Sequence, residues 1–197
     1  MFRRCFAQPR IALLAALALI LATAAASASA APPGKRPAKT LRFDVAEDVT
    51  RFAFAPSPLD GDGAPAYGNA FVTQGYLYPV GTLDGADGVL EGGKPQFPDK
   101  VLGEWTCRGF FVGQGAKTTA GPWVVTAQLF QLGRRWGDTT IVTDGYELPE
   151  IDVPIARAIT GGTGRYAGAR GEHTQRLLGF GVGEGVKLRM ALDVRRR

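Results

Sequence analysis

The 197-residue chain is 45% hydrophobic and 21% charged, and its formal net charge of +5 is unevenly distributed. The first 30 residues hold Arg3, Arg4 and Arg10 and no acid, so beyond them 20 basic residues face 18 acidic ones, a net of +2; no basic stripe interleaved with aromatics remains, which argues against nucleic acid as a partner. Only Cys107 of the 2 cysteines lies beyond that segment, which excludes an internal disulfide there and leaves stability to the packing of about 165 residues, enough for one domain burying roughly 70% of its unfolded surface.

The N-terminus follows the order that secretion requires: a basic start, an apolar run from Ile11 to Ala26, then small residues through Ala30. This predicts a signal peptide over residues 1–30. The run is mostly Ala and shorter than the roughly 20 strongly apolar residues of a stable span, so an anchor is disfavoured and no stable membrane span is expected after cleavage. Ala28-Ser29-Ala30 fits the small-x-small rule and makes Ala31 the new N-terminus, with Ala26 and Ala28 as other cleavage points. Arg3-Arg4, followed by Cys5 and Phe6, resembles a twin-arginine signal but is equally ordinary in a Sec signal, so a secreted or cell-envelope location by either route is expected. Residues 31–39 carry three prolines and no apolar periodicity, as in a disordered linker, which places the folded domain at 40–197.

From Thr40 onward, short alternating or apolar runs are divided by Gly, Pro and Asp clusters, and helical spacing is nowhere sustained. The expected strands are Leu41–Val45, Arg51–Ala55, Ala70–Val80, Val101–Val112, Pro122–Leu132, Thr139–Leu148, Pro154–Thr160, Arg170–Phe180 and Val186–Val194, with one or two of them joined into a single bent strand. The turns Ser57–Gly63 and Asp84–Gly88 contain aspartates but no calcium-loop spacing. Eight or nine strands without helical crossovers predict an all-β antiparallel barrel or sandwich, and periodicity does not choose between the two.

Residues 158–171 read Ala-Ile-Thr-Gly-Gly-Thr-Gly-Arg-Tyr-Ala-Gly-Ala-Arg-Gly. The segment contains Gly162-x-Gly164-x-x-Ala167, formally a dinucleotide fingerprint, but a strand-like alternation from Glu172 follows it where that fingerprint needs a helix. Read structurally, the glycines permit a tight reversal, and Tyr166 can pack back as a plug on a barrel end.

Gly161, Gly162, Gly164, Tyr166, Arg170 and Gly171 within this segment resemble the hallmark of the allene oxide cyclase and dirigent protein superfamily, in particular the bacterial allene oxide cyclase barrel-like proteins. The resemblance extends to Thr106–Phe111, Gly121–Thr126 and Thr143–Leu148. It implies a small closed antiparallel barrel of about eight strands, an assembly of the trimer or dimer kind, a cavity for a small hydrophobic molecule, and neither a metal nor an organic cofactor. In that superfamily plant cyclases rearrange a fatty-acid epoxide, and dirigent proteins steer the coupling of phenoxy radicals made by a separate oxidase.

No nucleophile-and-base constellation is visible: His173 is the only histidine and no Gly-x-Ser-x-Gly elbow occurs, which argues against a hydrolase, and the nitrogen and sulfur ligands are too few for a zinc site. Alternation with Glu172 makes His173 a surface or rim residue, and Cys107 suits a small buried side chain. Polar groups within apolar strands are the pocket candidates: Glu104, Arg108, Gln128, Glu147, Glu172 and Gln175. If Arg108 faces inward it requires Glu104, Glu147 or Glu172 as a partner. The expected function is binding or steric steering of a small hydrophobic molecule; the alternatives are a cofactor-independent cyclase or isomerase, and a structural or surface interaction module with a filled barrel.

Overall fold

The computed structural model describes residues 39–132 and 135–195. The predicted signal peptide and nearly all of the linker lie outside the described residues. Eight antiparallel strands, β1 (Lys39–Phe54), β2 (Ala70–Pro79), β3 (Gly103–Phe111), β4 (Val124–Gln131), β5 (Thr140–Glu147), β6 (Ile155–Gly162), β7 (Arg170–Phe180) and β8 (Val186–Arg195), pair in sequence order. β1 pairs with both β2 and β8 and so closes the sheet into a barrel. A sandwich, which periodicity had left open, is thereby excluded. Closure leaves no strand edge unpaired along the wall.

The first two expected strands are one strand. Residues 46–50 join them, and the register against β2 shifts between Asp48 and Ala53. Asp48 holds the bend: its carboxylate accepts hydrogen bonds from Thr50 N at 3.1 Å, Thr50 Oγ1 at 2.7 Å and Arg51 Nε at 2.8 Å. Such local side-chain bonds replace the ladder where a bulge interrupts it.

The lumen divides into two parts. Its packed part contains Phe43, Phe130, Ile141, Ile159, Met190 and Leu192, all buried. The glycine segment closes that end, with Tyr166 and Ala169 buried in the same cluster, so Tyr166 is the expected plug. A Cβ on Gly162 would lie 2.5 Å from the Thr140 carbonyl oxygen, and one on Gly164 would lie 1.9 Å from that of Asp138; Gly164 also has φ +54°. Arg170 Nη1 donates to the carbonyls of Thr160 at 2.6 Å and Ala169 at 2.7 Å. The segment leads into a single 3-10 turn (Gly164–Tyr166) and then β7, with no helix for a pyrophosphate to rest on.

The long β2–β3 connection lies against the outside of the barrel. Leu83 and Val89 from it pack with Ala46 and Tyr78 in a second small core. Asp44 beneath it accepts from Gly81 N at 2.8 Å, Leu83 N at 3.1 Å and Arg189 Nε at 2.8 Å. The aspartates of the two turns form ion pairs, Asp60 and Asp62 with Lys117, Asp84 with Arg189 and Asp87 with Lys187.

Candidate functional site

The other end of the barrel holds a cavity of about 300 Å³. It lies where β1, β3, β5 and β7 end and β2, β4, β6 and β8 begin. Phe52, Phe71, Phe111 and Trp123 form a run of neighbouring rings in its wall, with centroids 5.9, 5.0 and 6.3 Å apart. Trp105, Cys107, Thr73, Glu47 and Glu147 also line it. The buried indole N–H groups of Trp105 and Trp123 have no hydrogen-bond partner among the described residues.

Strand alternation delivers these groups. On β3, Trp105, Cys107 and Phe111 are buried toward the lumen, whereas Glu104, Thr106, Arg108 and Phe110 lie on the other face. On β4 the inward set is Val124, Thr126, Gln128 and Phe130. Register aligns Glu147 with Val124 across β4 and β5, so its carboxylate enters the lumen beside Thr126.

Glu147 is the hub of a buried polar network. Its Oε1 accepts from Thr126 Oγ1 at 2.5 Å, Gln128 Nε2 at 2.9 Å and the Cys107 thiol at 3.5 Å, and its Oε2 accepts from Gln175 Nε2 at 2.7 Å. Gln128 Nε2 also donates to Gln175 Oε1 at 2.9 Å. Arg157 Nη1 lies 3.5 Å from Glu147 Oε1. The same guanidinium donates to the carbonyls of Tyr146 at 2.8 Å and Thr126 at 2.9 Å and to Thr126 Oγ1 at 2.7 Å. Burial pushes the Glu147 carboxyl up, but the Arg157 charge and the bonds from Thr126, Gln175 and Gln128 outweigh it and leave the group below the ordinary carboxylate range.

Glu47, the second lumenal carboxyl, behaves oppositely. Oε1 accepts from Thr73 Oγ1 at 2.5 Å and Oε2 from Val186 N at 2.8 Å, and among the described residues it forms no ion pair. Burial raises it, and these two bonds do not offset that rise, to which the Glu147 charge adds. The two carboxyls in the cavity wall are therefore pushed in opposite directions, Glu47 up and Glu147 down. Cys107 is raised well above an ordinary thiol, by burial and then by the Glu147 charge, and stays protonated.

Three of the six sequence candidates, Gln128, Glu147 and Gln175, meet in the lumen within one network. The other three do not. Arg108 and Glu172 are exposed on the outer wall, and Glu104 is half-buried there, accepting from Arg51 Nη1 at 2.9 Å. The inward Arg108 pairing is thus corrected: closure turns the Trp105 face inward, which obliges Arg108 to face out. His173 also requires correction, being buried in the lumen with Nδ1 3.2 Å from Thr143 Oγ1 and Nε2 3.0 Å from Met190 Sδ. Burial first and the Arg157 charge second push it down to about 3, so it is neutral.

Glu47 and Arg157 were missed. Arg157 had a signal, since Ile155-Arg157-Ile159 alternates with Ala156 and Ala158 and so sets a cation between two apolar neighbours on one face. Glu47 continues the alternation of Phe43 and Val45, but it fell in the gap drawn between two expected strands.

No protein-family model and no curated protein matches the chain. Among solved structures, two pterocarpan synthase dirigent proteins align with TM-scores of 0.57 and 0.55 at 15% identity, over 82% and 87% of this chain and 97% and 99% of theirs. A pyocyanin demethylase aligns with a TM-score of 0.48 at 21% identity, over 79% of this chain and 99% of its own. Eight antiparallel strands closed in sequence order and the overlay on the two dirigent proteins give this chain the same closed eight-stranded barrel fold as those proteins.

Proposed function

We propose that the barrel binds a small, largely aromatic or apolar molecule in its open end and holds a polar group of that molecule against the Glu47 and Glu147 pair. The observation that carries this reading is the cavity itself, about 300 Å³ walled by phenylalanine and tryptophan rings with two buried carboxyls set into the wall. Ligand sites of this size combine apolar burial with a few fixed polar groups that set orientation. The unpartnered indole N–H groups of Trp105 and Trp123 add two donors for acceptor oxygens of the ligand. The signal-like N-terminal sequence supports a cell-envelope or external location for this binding.

Mass spectrometry of small molecules extracted from the purified chain tests the reading directly, with tryptophan fluorescence, to which the cavity-lining Trp105 and Trp123 contribute, as a binding readout for candidate phenols and fatty acids. Filling the cavity with Cys107→Trp removes both signals. Absence of any extracted molecule, together with no saturable quenching by either class, would overturn it.

The opposed carboxyls favour a second reading, a cofactor-independent isomerase or cyclase. Two titratable groups driven apart by their surroundings divide acid and base roles between them. Glu47 as acid would protonate an oxygen of the substrate, Glu147 would stabilise the positive charge that develops, and the proton would return to Glu47 when the product forms. Turnover of a bound candidate that is lost in Glu47→Gln separates the second reading from the first, which expects binding without turnover.

A further inference from the structure

The wall of the cavity is one-sided in charge. Glu47, Glu147 and Glu184 line it, and the described residues of the lining include no lysine, arginine or histidine. Glu147 has its counter-charge behind the wall, in Arg157, whose side chain is 0% exposed. Glu47 has no such support. Its carboxylate is bonded to a hydroxyl and a backbone N–H, and Glu147 and Asp48, both negative, add to its burial in raising it. Glu184 stands exposed at the rim, on the turn Val182–Glu184 between β7 and β8, and among the described residues it takes part in none of the ion pairs. Around these acids the wall is aromatic, and the faces of such rings carry the negative end of their quadrupole.

On the basis of the binding reading above, we propose that the polar group held against Glu47 and Glu147 is a cationic nitrogen, so that the ligand is a protonated or quaternary amine on an aromatic or apolar body. Such a nitrogen supplies the counter-charge that the fold withholds from Glu47. The rings of Phe52, Phe71, Phe111 and Trp123 add cation–π attraction for the substituents around it. Glu184 at the rim draws cations toward the mouth. A carboxylate or phosphate ester would instead bring another negative charge against a wall that faces it with acids, which selects against that class. Trp105, 1% exposed with its N–H unpartnered among the described residues, serves one acceptor oxygen on the same ligand.

Isothermal titration calorimetry on the purified full chain tests this with three probes that share a ring and a methoxy oxygen and differ in charge: (4-methoxybenzyl)trimethylammonium, 4-methoxybenzyl alcohol and 4-methoxyphenylacetate. The expected order is cation tightest and acetate weakest, with the cation ahead of the alcohol by at least about tenfold. Glu47→Gln should remove most of that preference and leave the alcohol nearly unchanged. Its amide can keep both contacts of the carboxylate, accepting from Val186 N and donating to Thr73 Oγ1, and far-UV circular dichroism checks that the barrel is intact. Glu184→Gln should weaken the cation by less, and Asp144→Asn, on the exposed outer wall, should leave all three probes as in the wild type. Alcohol or acetate binding at least as tightly as the cation, or a preference that survives in Glu47→Gln, would overturn the inference while leaving the binding reading in place. No binding of any probe, with no molecule extracted from the chain, would overturn both.

Discussion

Removing the charge of Arg157 is the sharpest test of the lumenal network. The Arg157 side chain is 0% exposed and that of Glu147 is 9% exposed, and they approach to 3.5 Å. Arg157→Met keeps much of the apolar length but leaves Glu147 as a buried carboxylate without its cation, and it strips bonds from the carbonyls of Gly145, Tyr146 and Thr126. Breaking a buried pair from one side costs about 3–5 kcal/mol, against about 0–1 kcal/mol for an exposed pair. Arg176→Met, on the exposed outer face of β7, is the control. Urea unfolding followed by tryptophan fluorescence reads both, since Trp105 is 1% exposed. The pH dependence supplies a second readout whose sign can be worked out. In the wild type, Glu147 is held low, so its contribution is present above the unfolded carboxylate value and lost as pH falls through the folded one. Without Arg157, burial raises Glu147, and its contribution is then present at low pH and lost as pH rises through the raised value. The variant should therefore gain on the wild type as pH falls, and adding Glu147→Gln should recover much of the loss at neutral pH. A loss below about 1 kcal/mol at pH 7, with no change in the pH slope, would refute the claim that this pair is buried and coupled.

Gly164→Ala should lower stability by about 1–3 kcal/mol, because φ is +54° and the new Cβ meets a backbone oxygen at 1.9 Å, whereas Gly161→Ala, with its nearest atom at 4.0 Å, should be neutral or slightly stabilising; thermal melting distinguishes them. His173, pushed down to about 3 in the fold from 6.5, contributes stability that is complete above pH 6.5 and lost as pH falls toward 3, with a slope of up to about 1.4 kcal/mol per pH unit. Urea unfolding across that window should show a shallower dependence in His173→Gln. Glu47, raised in the fold, acts in the opposite sense, its contribution being lost as pH rises, so Glu47→Gln should steepen the same curve.

β4, β7 and β8 were legible because each alternates over most of its 8, 11 or 10 residues between turn-forming clusters, and the ends of β7 and the start of β8 fall where the alternation begins and stops. The plug was legible as well, since a run of glycines around one aromatic leaves few other uses for Tyr166. What alternation cannot convey is which of its two faces is the inside. On β3 one face holds Trp105, Cys107 and Phe111 and the other Glu104, Thr106, Arg108 and Phe110, so a large aromatic on each face leaves a partial symmetry between them. Only closure through the β1 and β8 pairing breaks that symmetry, and it does so for all eight strands at once. It sends Arg108 out, draws His173 in, and brings Glu147, Gln128, Gln175 and Arg157 together from four strands. Glu47 joins them because β1 continues through its bulge, held by Asp48, where a local reading sees a break. Short-range periodicity determined the elements; the long-range geometry of a closed sheet decided which polar side chains share a dry interior, and with them the site.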